Sequence, residues 1–169
     1  MNSKIVKVLS VLAVALLSAY ILPKDVMRVN AGENVHVVDG DSLELEGLRI
    51  RLVGIDSPEY RQFCYNAKHQ KYDCGIEAKK YLEKLIGAQQ VRCEEESKDI
   101  YERSLSVCFV GDVNLNAEMI KAGWALAYRE EGDKYLPLEK QAKANKKGVW
   151  QGRFMRPELY RFLNKRKNS

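Results

Sequence analysis

A chain of 169 residues, 46% of them apolar, can bury one sizeable core, and it carries no internal repeat or low-complexity tract. That composition fits one domain with short appendages, residues 30–152, and leaves no room for a repeat array or a series of domains. The net charge of +5, from 28 basic and 23 acidic residues, is weak evidence for a polyanionic partner until its distribution is considered.

The first 24 residues stand apart. Lys4 and Lys7 precede Val8–Pro23, which holds no charged residue. A basic start followed by an apolar run reads as an export signal, either cleaved or retained as a membrane anchor. The run is near the lower length for spanning a bilayer, about 17 residues. The basic flank should stay inside, which places the domain outside the cytoplasm.

Next comes a meander of three strands. Val35–Val38 is β-branched, Asp39-Gly40 is a hairpin-turn signal, and Ser42–Glu46 alternates with period two. Gly47 breaks the run, and Leu48–Val53 alternates again with Leu48, Ile50 and Leu52 on one face. Residues 54–74 read as a long polar loop, of a length that calls for a function or a staple. Glu77–Ile86 has helical spacing, Gln90–Glu94 and Ser104–Val110 are strands around a charged turn, and Leu115–Ala122 is a short helix ending at Gly123. Trp124–Tyr128 adds a short strand, Leu138–Lys146 an amphipathic helix, and Pro157–Lys165 a last helix with proline in its first turn. The order predicts an α+β, mainly β fold: a five-stranded barrel of the OB type with about three packed helices. The tail, residues 153–169, is basic. From Lys140 onward ten basic residues face a single acid, Glu158, whereas residues 25–139 carry a net charge of −7. The tail either holds polyanions by counterion release or is a solvated helical face.

Four cysteines, Cys64, Cys74, Cys93 and Cys108, suit an oxidising compartment. Of the three possible pairings, the favoured one joins sequence neighbours, Cys64–Cys74 and Cys93–Cys108. Loops of this size contribute roughly 3 kcal/mol each in the chain-entropy model. Zinc ligation is disfavoured because close cysteine pairs are missing, and free buried thiols remain an alternative.

Two acidic clusters carry the chemistry. Asp39-Gly40-Asp41-Ser42 lies at a hairpin turn and Asp56-Ser57-Pro58-Glu59 follows the third strand. Carboxylates at strand ends can bind hard divalent cations, with Asp41 and Asp56 the natural pair and the Ser57 carbonyl, held extended by Pro58, a third donor. Arg51 and Arg103 supply guanidinium forks that match phosphate oxygens. Taken singly, each cluster also reads as a solvated turn and each arginine as a surface ion pair. Both histidines, His36 and His69, read as structural or exposed.

Val38-Asp39-Gly40-Asp41-Ser42 and Ile50-Arg51-Leu52-Val53-Gly54-Ile55-Asp56-Ser57-Pro58-Glu59 closely resemble the thermonuclease, or staphylococcal-nuclease-like, family. The resemblance runs on through Asp99-Ile100-Tyr101-Glu102-Arg103, Val113-Asn114-Leu115-Asn116-Ala117 and Ala122–Tyr128 to Gly148-Val149-Trp150. With the four cysteines and the Trp150–Phe154 ending, it looks like an exported bacterial branch. It implies an OB-fold barrel and a calcium-dependent nuclease acting on DNA or RNA and leaving 3′-phosphate ends. It further implies Asp41, Asp56 and the Ser57 carbonyl as Ca2+ ligands, Glu59 orienting or deprotonating water, Arg51 and Arg103 on the phosphate, and Tyr101 and Tyr128 against the nucleotide. The expected state is a monomer that touches a membrane only through its N-terminal segment. Glu102 departs from the pattern, standing where glycine is usual. It is expected to pair with Arg103 and to make a positive-φ turn costlier. The rival readings are a non-catalytic nucleic-acid-binding OB module, against which the quintet Asp41, Arg51, Asp56, Glu59 and Arg103 argues, and an envelope-tethered adaptor that holds a protein partner through the basic tail, which a metal-free pull-down without nuclease activity would favour.

Overall fold

The computed structural model describes residues 26–29, the backbone only, and 35–165. The N-terminal segment 1–24, with its expected signal or anchor, and the last basic residues Arg166 and Lys167 lie outside the described residues. Among those described, no helix is long and apolar enough to cross a membrane.

Strand β1 (Val26–Val29) is followed by the expected meander, β2 (Val35–Asp39), β3 (Ser42–Leu45) and β4 (Leu48–Leu52). The β3–β4 turn is Glu46-Gly47, with φ of 51° and 81°. Two successive left-handed residues are what a two-residue hairpin with the native strand twist requires. Leu43, Leu45, Ile50 and Leu52 point inward and are fully buried. Leu48, expected beside them, directly follows the turn at the hairpin end and is 39% exposed.

Strands β8 (Val91–Lys98) and β9 (Ser104–Val110) complete the main sheet, whose order is β1-β8-β9-β4-β3-β2, with β10 (Val113–Asn114) pairing β9. All of its ladders are antiparallel except β4 with β9, where Arg51 lies opposite Leu105. The five strands β2, β3, β4, β8 and β9, with a helix inserted after the third, are those of the expected OB-type fold. The sheet path ends at β2 on one side and at β1 on the other, so β1 occupies the outer edge of β8.

Residues 54–74 are more ordered than a loop. β5 (Ile55–Asp56) pairs with β11 (Leu126–Ala127), and β6 (Cys64–Tyr65) pairs with β7 (Lys71–Tyr72). Ladders of two residues are too short to leave an alternating pattern. Helix α1 (Cys74–Ile86) begins three residues before the expected Glu77. Its N-cap is Asp73, which makes no side-chain capping bond. Gly75 in its first turn is dictated by packing, since a Cβ there would lie 1.8 Å from the Glu59 carbonyl oxygen.

Helix α1 buries Ala78, Leu82 and Ile86 against the sheet, and α2 (Leu115–Lys121) buries Leu115, Met119 and Ile120. Burying each large aliphatic side chain is worth about 1.5–3 kcal/mol. Asn116 is fully buried and satisfied: its amide donates to the carbonyls of Val53 (2.9 Å) and Ser106 (3.1 Å), and its oxygen accepts from the Cys108 amide (3.1 Å). It ties α2 to β9 and to the end of β4, which is the edge on which the acidic clusters stand. Helix α3 (Leu136–Ala144) covers α2, and α4 (Pro157–Lys165) forms a fourth helix from the tail. The disulfides are Cys64–Cys74 and Cys93–Cys108, the second joining directly opposed residues of β8 and β9. No free cysteine remains, which removes the zinc and free-thiol alternatives.

Candidate active site

The two acidic clusters converge because sheet register brings them together. In the β3–β4 ladder Arg51 lies opposite Ser42, next to Asp41 in the hairpin turn. Asp56 sits in β5, pinned by its pairing with Leu126. The Arg51 guanidinium bridges the two acids, 2.6 Å from Asp41 Oδ1 and 3.1 Å from Asp56 Oδ1. Both aspartates are 2% exposed, so this is a buried interlock rather than a surface pair. Burial by itself would lower the Arg51 pKa, but Asp41 and Asp56 hold it above its ordinary value.

Ser57 closes the corner from below. Its amide donates to Asp41 Oδ2 (2.6 Å) and its hydroxyl to the Trp124 carbonyl (2.9 Å). The approach is so close that a Cβ on Gly40 would lie 2.0 Å from Ser57 Oγ, which explains the glycine between the two aspartates. Glu59 stands at the rim, half-buried. Its loop is fixed by the fully buried Gln62, whose Oε1 accepts from the Glu59 amide (3.2 Å) while its amide group donates to the Met155 carbonyl (2.7 Å). Nothing in the sequence marked Gln62 as a positioning residue, since a glutamine in a polar loop has no periodic signature.

Glu59, which the resemblance assigns to the water, is ion-paired. Arg161, from α4, donates to Glu59 Oε1 (2.8 Å), to Asp56 Oδ1 (2.8 Å) and to Asp56 Oδ2 (3.2 Å). Sequence reasoning counted Arg161 only as one charge of the basic tail; the contact spans more than a hundred residues. Burial raises the Asp56 pKa, as does Asp41, against the lowering hydrogen bonds and charge of Arg161 and Arg51. Asp39, on the near side of the turn, is pushed up to about 7 by burial and then by the Asp41 charge. The corner therefore holds four carboxylates (Asp39, Asp41, Asp56 and Glu59) against two guanidiniums.

That donor set suits a hard divalent cation. It is all oxygen, without sulfur or imidazole, and carries a local excess of carboxylates. Among the described residues no three acidic, histidine or cysteine side chains form a ready-made cation cage. Guanidiniums stand between the carboxylates instead.

Arg103 and Tyr101 belong to a second cluster, in the turn between β8 and β9. Asp99 Oδ1 accepts from the amides of Tyr101 (2.9 Å) and Arg103 (3.0 Å), and Asp99 Oδ2 pairs with the Arg103 guanidinium (2.7 Å). The ion-pair partner of Arg103 is thus Asp99, four residues before it, rather than the adjacent Glu102. A side chain fixed by two backbone amides competes better than a neighbour that points to solvent. Glu102 does adopt φ +59°, the strained conformation anticipated for that position. The turn is docked to the first cluster's strand by Arg49, which donates to the Tyr101 carbonyl (2.9 Å). Tyr128 lies beyond β11, half-buried, its amide bound to the Gly54 carbonyl (3.0 Å).

The fold is thus an OB-type sheet that carries buried acids and an arginine in one corner and a second arginine on the adjoining turn. Residues 49–152 match the sequence profile of the family described as Staphylococcal nuclease homologue. A Haemophilus influenzae protein named as an uncharacterized endonuclease is 33% identical over 153 residues, covering 88% of this chain and 78% of its own length. The succinoglycan biosynthesis protein ExoI of Rhizobium meliloti is 34% identical over 118 residues, which span 68% of this chain and 61% of that protein. A thermonuclease of Staphylococcus intermedius is 32% identical over 126 residues, 68% of this chain and 73% of that protein. The chain belongs to the staphylococcal nuclease homologue family.

Proposed function

We propose that this protein is a nuclease that hydrolyses phosphodiester bonds of DNA or RNA, depends on Ca2+, acts as an endonuclease and leaves 3′-phosphate ends. The observation that carries the reading is the buried interlock of Asp41, Arg51 and Asp56 with Glu59 at its rim. The family membership and the names of the endonuclease and thermonuclease relatives support it.

In this reading Asp41, Asp56 and the Ser57 carbonyl hold the cation. When bound, Ca2+ supplies positive charge to the phosphate and to the charge that develops on it. Arg51 offers its fork to a non-bridging phosphate oxygen from a fixed, low-dielectric position, where such stabilisation is strongest. Glu59 orients a water and accepts its proton as the water oxygen bonds to phosphorus and the bond from phosphorus to the 5′ oxygen breaks, the departing 5′ oxygen taking a proton from solvent to leave as a hydroxyl. Arg103, from the turn between β8 and β9, offers its fork to the same phosphate, and Tyr101 and Tyr128 offer ring faces to the adjacent nucleotide.

The domain at residues 30–152 works outside the cytoplasm as a monomer, delivered by the signal or anchor at residues 1–24 and followed by the basic tail at 153–169. The two disulfides support that compartment. The test is incubation of the purified chain with single-stranded DNA and RNA, in calcium or in chelator, with end-group analysis of the products. Cleavage in calcium alone with 3′-phosphate ends is expected. Tight binding without cleavage in either condition would favour a binding module instead.

A further inference from the structure

The guanidinium of Arg161 stands where the proposed chemistry needs a cation and a water. It spans both oxygens of Asp56 and reaches Glu59 with the same nitrogen, at 2.8 Å, that holds Asp56 Oδ1. Those are one assigned cation ligand and the group assigned to the water. A bidentate fork on Asp56 saturates the face of that carboxylate turned toward Glu59.

The way α4 is attached makes this occupation reversible. Its approach is stapled through backbone: Tyr65 and Arg153 exchange amide-to-carbonyl bonds (2.8 and 2.9 Å), and Gln62 holds the Met155 carbonyl. The helix itself is held lightly. Pro157 is its only buried residue, Leu159 is 48% exposed, and Tyr160 bonds the Arg61 carbonyl through its hydroxyl (3.2 Å). A short helix with so little buried apolar surface can swing on its stapled start at small cost. At the site itself the hold of Arg161 is one positive charge set against carboxylates that would draw a doubly charged ion more strongly.

We infer that Arg161 sets the cation affinity of this site: it is a built-in counter-ion that a divalent cation must displace from Asp56 and Glu59, so that cation binding and docking of α4 exclude one another. The inference rests on the reading of Asp56 as a cation ligand. Without the cation, Arg161 keeps the carboxylates satisfied and the site shut. At sufficient calcium the helix is released and Glu59 is freed for water. Arg161 thereby acts on the reaction through the ion's affinity and the release of Glu59 rather than on the phosphate.

The experiment is calcium titration by calorimetry of the full chain, comparing wild type with Arg161→Ala, Arg161→Gln and Asp41→Ala. Hydrogen exchange of residues 157–165 is followed in calcium and in chelator. Both Arg161 variants should bind calcium more tightly, on the order of tenfold, the usual scale for linked equilibria. In wild type, calcium should speed exchange in α4; in the variants exchange there should be fast in either condition. Calcium affinity in the Arg161 variants equal to or weaker than in wild type would overturn the competition while leaving the metal reading intact. Exchange in wild-type α4 that ignores calcium would do the same. If calcium binding is absent throughout, or survives unchanged in Asp41→Ala, the metal reading itself fails and the competition falls with it.

Discussion

The two clusters proposed to form the site are built on different principles. The carboxylate corner is long-range: Asp41, Arg51, Asp56 and Ser57 come from a hairpin turn, a strand and a strand end, and each holds another in place by buried bonds of 2.6–3.1 Å. The 99–103 turn is local: one aspartate gathers two backbone amides and a guanidinium from within four residues, at the surface. On the proposed reading, stability and chemistry share the same atoms in the corner, whereas in the turn they separate. Mutations in the corner should therefore lower stability and activity together, and mutations in the turn should move one without the other.

The largest effect should come from Arg51→Ala. It leaves Asp41 buried without a guanidinium partner while Asp56 keeps Arg161, and breaking a buried pair costs about 3–5 kcal/mol. Thermal unfolding in chelator should show a clear loss of Tm, and cleavage of a short oligonucleotide should fall on the order of 10²-fold or more, as for loss of one preorganised donor. A variant that keeps the wild-type Tm would mean the interlock contributes nothing to the fold.

Arg103→Lys should split the two quantities. The charge stays and the planar fork is lost. Turnover should fall on the order of 10²-fold, while Tm changes little because the pair with Asp99 is part-exposed. Wild-type turnover would reduce Arg103 to a surface charge.

Glu102→Gly tests the turn's backbone. Glutamate at φ +59° is strained, and glycine relieves it at an entropic cost of roughly 0.5–1 kcal/mol. The strain is about 1–2 kcal/mol, so the net gain in stability should be about 0–1.5 kcal/mol, the difference between those terms. Because Asp99 rather than Glu102 restrains Arg103, turnover should hardly move. A marked rise in rate would show that Glu102 restrains the guanidinium after all.

The smallest effect concerns pH. Burial alone would raise the Asp99 pKa, but the hydrogen bonds from Arg103 and the Tyr101 amide, with the Arg103 charge, bring it below the ordinary carboxylate value. A depressed folded-state pKa contributes stability that is present above the unfolded value, about 3.9, and lost as pH falls through the folded one. The Tm difference between wild type and Asp99→Asn should accordingly be positive at pH 7 and shrink below about pH 4. A difference that stays constant from pH 7 to pH 3 would assign the role of Asp99 to shape rather than charge.

Much of this was legible in order along the chain. Strand β9 and helix α4 begin and end where their patterns do, and the meander differs by a residue at its ends. Those elements carry local signals: alternation, Asp-Gly and Gly turns, proline at a helix start. The two cysteine pairs followed from sequence proximity, and the acidic motifs were visible as types of residue with suitable chemistry. What the sequence determined by itself was this inventory, because turn chemistry and periodicity act within a few residues. Only the tertiary structure decided the pairings: Arg51 between two acids, Gln62 bracing Glu59, Asp99 in place of Glu102, and Arg161 across the site. Each depends on sheet register or on how a tail folds back. The energy of such contacts belongs to atoms brought together by the whole fold, and a linear pattern has no term for it.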